Sequence, residues 1–154
     1  MKQFKTLISF AIALAYVFVV GYASTLLTTP DSNWYLALAK PDYMPPNYVF
    51  PIAWGLCYAF MAIAITATVT KKALRRALLV WGVLGILNIL WCLAFFTLHL
   101  TYFSLLVLAL QVAVVIILTT FYIKHTKYLW ITMIPLLAWY IYALLLNFGI
   151  LILN

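Results

Sequence analysis

Five stretches of about 20 or more nearly uninterrupted apolar residues, approximately 7–27, 49–69, 77–98, 102–123 and 128–153, leave this chain few ways to fold. Each is long enough to cross a hydrocarbon core of about 30 Å as a helix. None alternates apolar and polar residues as the strands of a membrane barrel do. With no water in the bilayer to satisfy backbone N–H and C=O groups, runs of this kind must be helical. Composition agrees, with 69% hydrophobic and only 7% charged residues and a mean hydropathy of +1.16; a soluble domain carries roughly a quarter charged residues. The expectation is an all-α integral membrane bundle of five transmembrane helices, one domain over residues 1–154. The first run reads as a span, since it is too long for the apolar region of a cleavable signal peptide. The third and fourth runs are separated only by Leu98-His99-Leu100-Thr101 and must form a tight hairpin.

The charges orient the bundle. Lys2 and Lys5 precede the first span, Lys71, Lys72, Arg75 and Arg76 follow the second, and Lys124 and Lys127 follow the fourth. These regions lie on one side and hold eight of the nine basic residues, while Lys40, Asp31 and Asp42 lie on the other. The positive-inside rule then makes this a multi-pass cell-membrane protein with a cytoplasmic N-terminus, and with the first loop and the C-terminus extracytoplasmic. The net charge of +7 sits against the membrane surface, which excludes a nucleic-acid groove. The KKALRR stretch is placed to attract anionic lipid heads. Cys57 and Cys92 fall inside apolar runs and read as small buried hydrophobes, with no disulfide or metal site implied.

Loop 28–48 is unusual for a membrane connection. The stretch KPDYMPPNYVFPIAW carries four prolines and four aromatic residues. Before it, TTPDSNWYLALAK predicts a short helix, capped by Asp31 or Ser32, with Trp34, Tyr35 and Leu38 on an apolar face and Pro41 ending it. Pro45-Pro46 stiffens the return, and Pro51 suits the first turn of the second span. So much stiff apolar surface points to a lid over the mouth of the bundle.

Bulky aromatic and polar residues in mid-membrane are costly unless they face the bundle interior. Helical spacing groups Trp54, Tyr58 and Met61 on the second span, Asn88, Trp91 and Phe95 on the third, and Trp139, Ala143 and Asn147 on the fifth. Trp139 lies twelve residues beyond Lys127, roughly 18 Å along a helix, which is near the midplane. Trp81 and Trp130 lie close to the basic side and read as interface anchors. Asn88 and Asn147 can also bond across helices, Gln111 reads as structural, and Pro135 predicts a kink below Trp139. These faces suggest an aromatic-lined cavity with a few neutral hydrogen-bonding groups, opening toward the loop and suited to a flat, largely apolar molecule.

At this point the chain resembles the translocator protein or tryptophan-rich sensory protein family, also called peripheral-type benzodiazepine receptors. The matching positions are Trp34-Tyr35, Lys40-Pro41, Pro45-Pro46, Phe50-Pro51, Trp54, Tyr58, Leu87-Asn88, Trp91, Phe95-Phe96, Pro135, Ala138-Trp139, Ala143 and Leu146-Asn147. The resemblance implies a five-helix bundle, commonly a homodimer in membrane lipid, that binds porphyrins of the protoporphyrin IX type and synthetic benzodiazepine-site ligands. It carries ligand binding onto Trp34, Pro45, Trp54, Asn88, Trp91, Trp139 and Ala143; Tyr35, Phe50, Tyr58 and Asn147 complete the expected site. Some bacterial members are associated with light-dependent porphyrin breakdown, for which Trp34 and Trp139 are the candidate catalytic residues. Porphyrin would be ligand or substrate, and no cofactor is required. The chain differs from the family pattern at Leu136, where tyrosine is usual, at Val107, where many bacterial relatives have an acid, and after Asn147, where the sterol motif of animal members needs a basic residue.

Three functions follow from these readings: a porphyrin receptor or sensor with possible photochemistry, a transporter of porphyrins or similar molecules, and a stress-response partner protein. The spans hold no Asp, Glu, Lys or Arg in their interiors, which removes the carriers of proton-coupled pumping. Two carboxylates in the outer loop give no acid–base pair inside the membrane. His99 reads as a helix-end polar residue.

Overall fold

The computed structural model describes residues 2–154. Five long helices form the bundle: α1 (Lys2–Leu27), α3 (Val49–Thr70), α4 (Ala77–Cys92), α5 (Thr101–His125) and α6 (Met133–Leu153). A short helix, α2 (Asn33–Ala37), lies in the loop between α1 and α3. All five long segments, with α4 counted through Thr97 and the last from Leu129, are apolar and long enough to cross a membrane. The chain is a multi-pass membrane protein. Its exposed surface is correspondingly hydrocarbon, with Phe18, Leu79 and Ile86 among the outward side chains.

Within lipid, helices gain little from hiding apolar surface, so close backbone approach and internal hydrogen bonds must hold them together. Both devices are present. A methyl group built on Gly85 would sit 2.7 Å from Tyr16 Oη and 2.9 Å from Val20, so glycine lets α1 lie close against α4. There Tyr16 Oη donates to the Trp81 carbonyl. Nearer the basic end, Trp81 Nε1 donates to Tyr122 Oη at 2.8 Å, and that hydroxyl shares a 2.5 Å hydrogen bond with Thr68. Trp81 is therefore a buried core residue rather than an interface anchor. Its depth along the helix is as expected, but its face points inward. Trp130 is half-buried against the same core.

Pro135 does not kink a long helix. A 3-10 turn over Leu129–Thr132 precedes α6, which puts Pro135 in the first helical turn. Its missing N–H costs nothing there, because first-turn amides have no intrahelical acceptor.

Gln111 is fully buried in α5, and neither amide atom has a hydrogen-bond partner among the described residues. An orphaned buried amide costs about 1–3 kcal/mol. Gln111→Leu is therefore expected to raise the thermal midpoint in detergent, and an unchanged or lowered midpoint would show that the amide has a partner.

At the other end, α4 widens into a π-helical turn over Leu93–Thr97, closed by Leu98 N–H donating to the Leu93 carbonyl at 2.9 Å. His99 then takes a left-handed conformation, φ 56°, which ends the helix and starts the reversal into α5. A non-glycine residue there costs on the order of 1 kcal/mol. His99 also stacks on Trp34 of α2, with ring centroids 4.1 Å apart. The helix end and the loop helix thus support each other.

Candidate functional site

The loop lies across that end of the bundle as a lid, and its residues explain why. Ser32 Oγ caps α2 by accepting from Tyr35 N–H at 3.3 Å. The helix stops at Ala37, before Pro41, because Leu38 is already extended. Tyr35 is buried against Phe95 and Phe96. Burial raises its phenol above the usual tyrosine range, so it stays protonated at ordinary pH. Lys40 lies over the Tyr35 ring, 4.6 Å from its centroid, and donates to the Tyr35 carbonyl at 3.0 Å.

The return segment of the loop is fixed to α6. Asn154 accepts from Ala39 N–H and donates to the Ala39 carbonyl, each at 3.0 Å. Tyr142 Oη donates to the Tyr43 carbonyl at 2.8 Å, and Tyr43 Oη donates to the Leu145 carbonyl at 3.2 Å. Gly149 makes room: a methyl on it would lie 2.5 Å from Tyr43 Oη and 3.0 Å from Pro41.

Beneath the lid is a cavity of about 580 Å³. Phe50, Trp54 and Tyr58 of α3 form one wall, and Asn88, Trp91, Phe95 and Phe96 of α4 and its π turn form another. Ala143, Leu146 and Asn147 of α6 close the third side, and Ser24 and Thr25 of α1, with Thr28 just past its end, the fourth. No α5 residue reaches it. Both asparagines are held in place by bonds that cross helices. Asn88 donates to Tyr140 Oη at 2.6 Å, leaving its amide oxygen for a guest. Asn147 Oδ1 accepts from Trp91 Nε1 at 3.1 Å and from Ser104 Oγ at 2.9 Å, while its Nδ2 donates to the Thr101 carbonyl at 3.1 Å. This network fixes the plane of the Trp91 indole, which stacks on Phe95 at 5.7 Å. Asp31, exposed at the rim, is the only charged side chain on the lining among the described residues.

The comparisons with known proteins cover nearly the whole chain. The family model of the TspO/MBR family matches residues 11–153. The chain belongs to the TspO/MBR family. Its sequence is 34% identical over 143 residues to the tryptophan-rich protein TspO of Archaeoglobus fulgidus, covering 90% of this chain and 92% of that one. It is 24% identical over 155 residues to the protein of the same name from Chlorobaculum tepidum, covering 97% and 98% of the two chains. A tryptophan-rich sensory protein of Cereibacter sphaeroides is 33% identical over 88 residues, about half of each chain at 56% and 55%.

In this TspO/MBR chain, eight of the residues singled out from sequence lie together on the cavity: Tyr35, Phe50, Trp54, Tyr58, Asn88, Trp91, Ala143 and Asn147. Trp34, Pro45 and Trp139 do not line it. Trp34 is behind Phe95, edge-on at 5.4 Å, and is used in docking the lid on His99. Pro45 is half-buried within the loop. Trp139 packs edge-on behind Phe50 at 5.8 Å and Trp54 at 6.3 Å, and its buried Nε1 has no partner among the described residues. Met61 is fully buried in the core, away from the lining. The resemblance implies a wall from the first span, but no residue of α1 was named from sequence. Its clue was the run of small polar residues Ser24, Thr25, Thr28 and Thr29, which ends an otherwise apolar helix.

Proposed function

We propose that this protein is a membrane receptor or sensor that takes a flat, largely apolar ligand of the porphyrin class into the cavity beneath its first loop. The observation that carries this reading is the cavity, whose 580 Å³ is walled by Trp54, Trp91, Phe95 and Phe96 with few polar groups. That volume falls inside the range of about 300–1,000 Å³ typical of small-molecule sites. Ring faces such as Trp54 and Trp91 stack on planar conjugated systems, and one free amide oxygen at Asn88 can fix orientation. By the positive-inside rule the basic end faces the cytoplasm and the lid faces the opposite compartment. Coupled export has little support, since among the described residues the walls hold no basic side chain and only the rim Asp31 as an acid.

The test is a titration of the detergent-solubilised protein with protoporphyrin IX in the dark, following the Soret band and tryptophan fluorescence. Saturable binding is expected, weakened at least about tenfold, or about 1.4 kcal/mol, by Trp54→Ala. Uptake that never saturates beyond detergent partitioning would remove the porphyrin reading. Illumination of the same samples decides whether chemistry accompanies binding. Trp54 is the tryptophan to examine first, with Trp139 6.3 Å behind it. Soret bleaching that needs Trp54 adds degradation to the function, whereas binding without protein-dependent bleaching leaves a receptor.

A further inference from the structure

We propose that ligands reach the cavity sideways from the membrane, through a portal between α1 and α3 whose door is the Tyr58 ring. A second hollow, of about 490 Å³, lies on the outer face of the bundle and is lined by Leu14, Val17, Phe18, Gly21 and Tyr22 of α1 together with Tyr58. Gly21 and Tyr58 also line the inner cavity. The two hollows therefore meet at one glycine and one tyrosine. A methyl group on Gly21 would lie 3.2 Å from Cε2 and 3.3 Å from Cζ of Tyr58, tighter than ordinary contact, so the bare backbone is what lets the ring close the gap. The ring is half-buried and stacks on Trp54 at 5.7 Å. A change of its side-chain torsion would join the hollows without moving either helix, and such flips are rapid compared with the rearrangement of a pinned loop.

The alternative route is through the lid, which is held by the Asn154 clasp on Ala39, the paired Tyr43 and Tyr142 bonds and the Trp34–His99 stack. Opening it breaks all of these together. The depth also suits membrane uptake. Gly21 lies six residues inside the end of α1, about 9 Å, and Tyr58 lies nine residues inside the start of α3, about 14 Å, within the nearer half of a hydrocarbon core about 30 Å thick. A flat apolar molecule concentrates in that layer. The inference rests on the cavity being a ligand site, and not on the ligand being a porphyrin.

The experiment uses the full chain in lipid vesicles and two flat probes, 1-aminoanthracene and protoporphyrin IX, with uptake and release followed by stopped-flow energy transfer from tryptophan. Val17→Phe fills the outer hollow without touching the inner lining, so it should slow association and dissociation alike by about tenfold and leave affinity within twofold. Tyr58→Ala removes the door and should accelerate association about tenfold, whatever it does to affinity. Asn154→Ala, which loosens the lid, should change neither rate. Unchanged kinetics in Val17→Phe, or a Tyr58→Ala effect confined to dissociation, would overturn the portal, as would acceleration by Asn154→Ala. Gated uptake of 1-aminoanthracene without protoporphyrin IX binding would keep the portal and remove the porphyrin reading. Saturable uptake of neither probe would remove both.

Discussion

Replacing Ala143 with phenylalanine is expected to lower affinity for protoporphyrin IX by a factor on the order of a hundred, about 2.8 kcal/mol, while leaving the bundle folded. Ala143 is only 9% exposed and lines the cavity one helical turn before Asn147. A phenyl ring there would extend into open volume that a flat guest needs. Overpacking of a filled core costs about 1–3 kcal/mol because neighbours must move. Here the new ring enters a void, so most of that strain is avoided and the effect falls on the ligand. Dark titration beside thermal unfolding of the same sample separates the two. Affinity within threefold of wild type, with unfolding unchanged, would place the ligand elsewhere.

Asn147→Leu should damage both stability and binding. The side chain links α4, α5 and α6 through Trp91, Ser104 and Thr101. The single Ser104 hydroxyl proton then goes to the Thr101 carbonyl, its other acceptor at 2.8 Å, so the group left orphaned is the Trp91 indole N–H. The loss of interhelical amide bonds, at roughly 0.6–2 kcal/mol each, together with one buried unpaired donor amounts to about 2–4 kcal/mol. Freed from Asn147, the indole no longer has a fixed plane, and porphyrin affinity should fall at least about tenfold. The checks are a thermal midpoint lowered by several degrees and a weakened dark titration. Asn147→Leu with a wild-type midpoint would mean that the network contributes nothing to holding the helices.

The number of helices, their approximate ends and the loop helix were legible because they depend on apolar run length, capping residues and proline. Which face of each helix points inward was much less so. In lipid, core-facing and lipid-facing positions are both apolar, so the usual amphipathic period is muted. Trp81 shows the consequence, since its position suggests an interface residue and only the pairing with Tyr122 and Thr68 reveals its burial. Residues with a polar atom were easier to place: Asn88, Asn147 and Tyr58 lie on the cavity because an amide or hydroxyl in mid-membrane has few other tolerable locations. Trp139 satisfied the same depth argument yet packs behind Trp54, one turn before Ala143 on the same helix face, because the cavity ends there and spacing alone does not say where. Which residues make the α1 wall was not legible, because its contribution lies in a glycine and short hydroxyl side chains whose role depends on the neighbouring ring of Tyr58.

The most direct test of the account is the structure of the chain bound to protoporphyrin IX in the dark. A ligand site in the cavity requires planar density under the lid, in contact with Trp54 and Trp91 and within hydrogen-bond reach of the Asn88 amide oxygen, with the Asn154 clasp on Ala39 intact. Density on the outer surface of the bundle, or against Trp34 on the far side of the lid with the cavity unaltered, would contradict it.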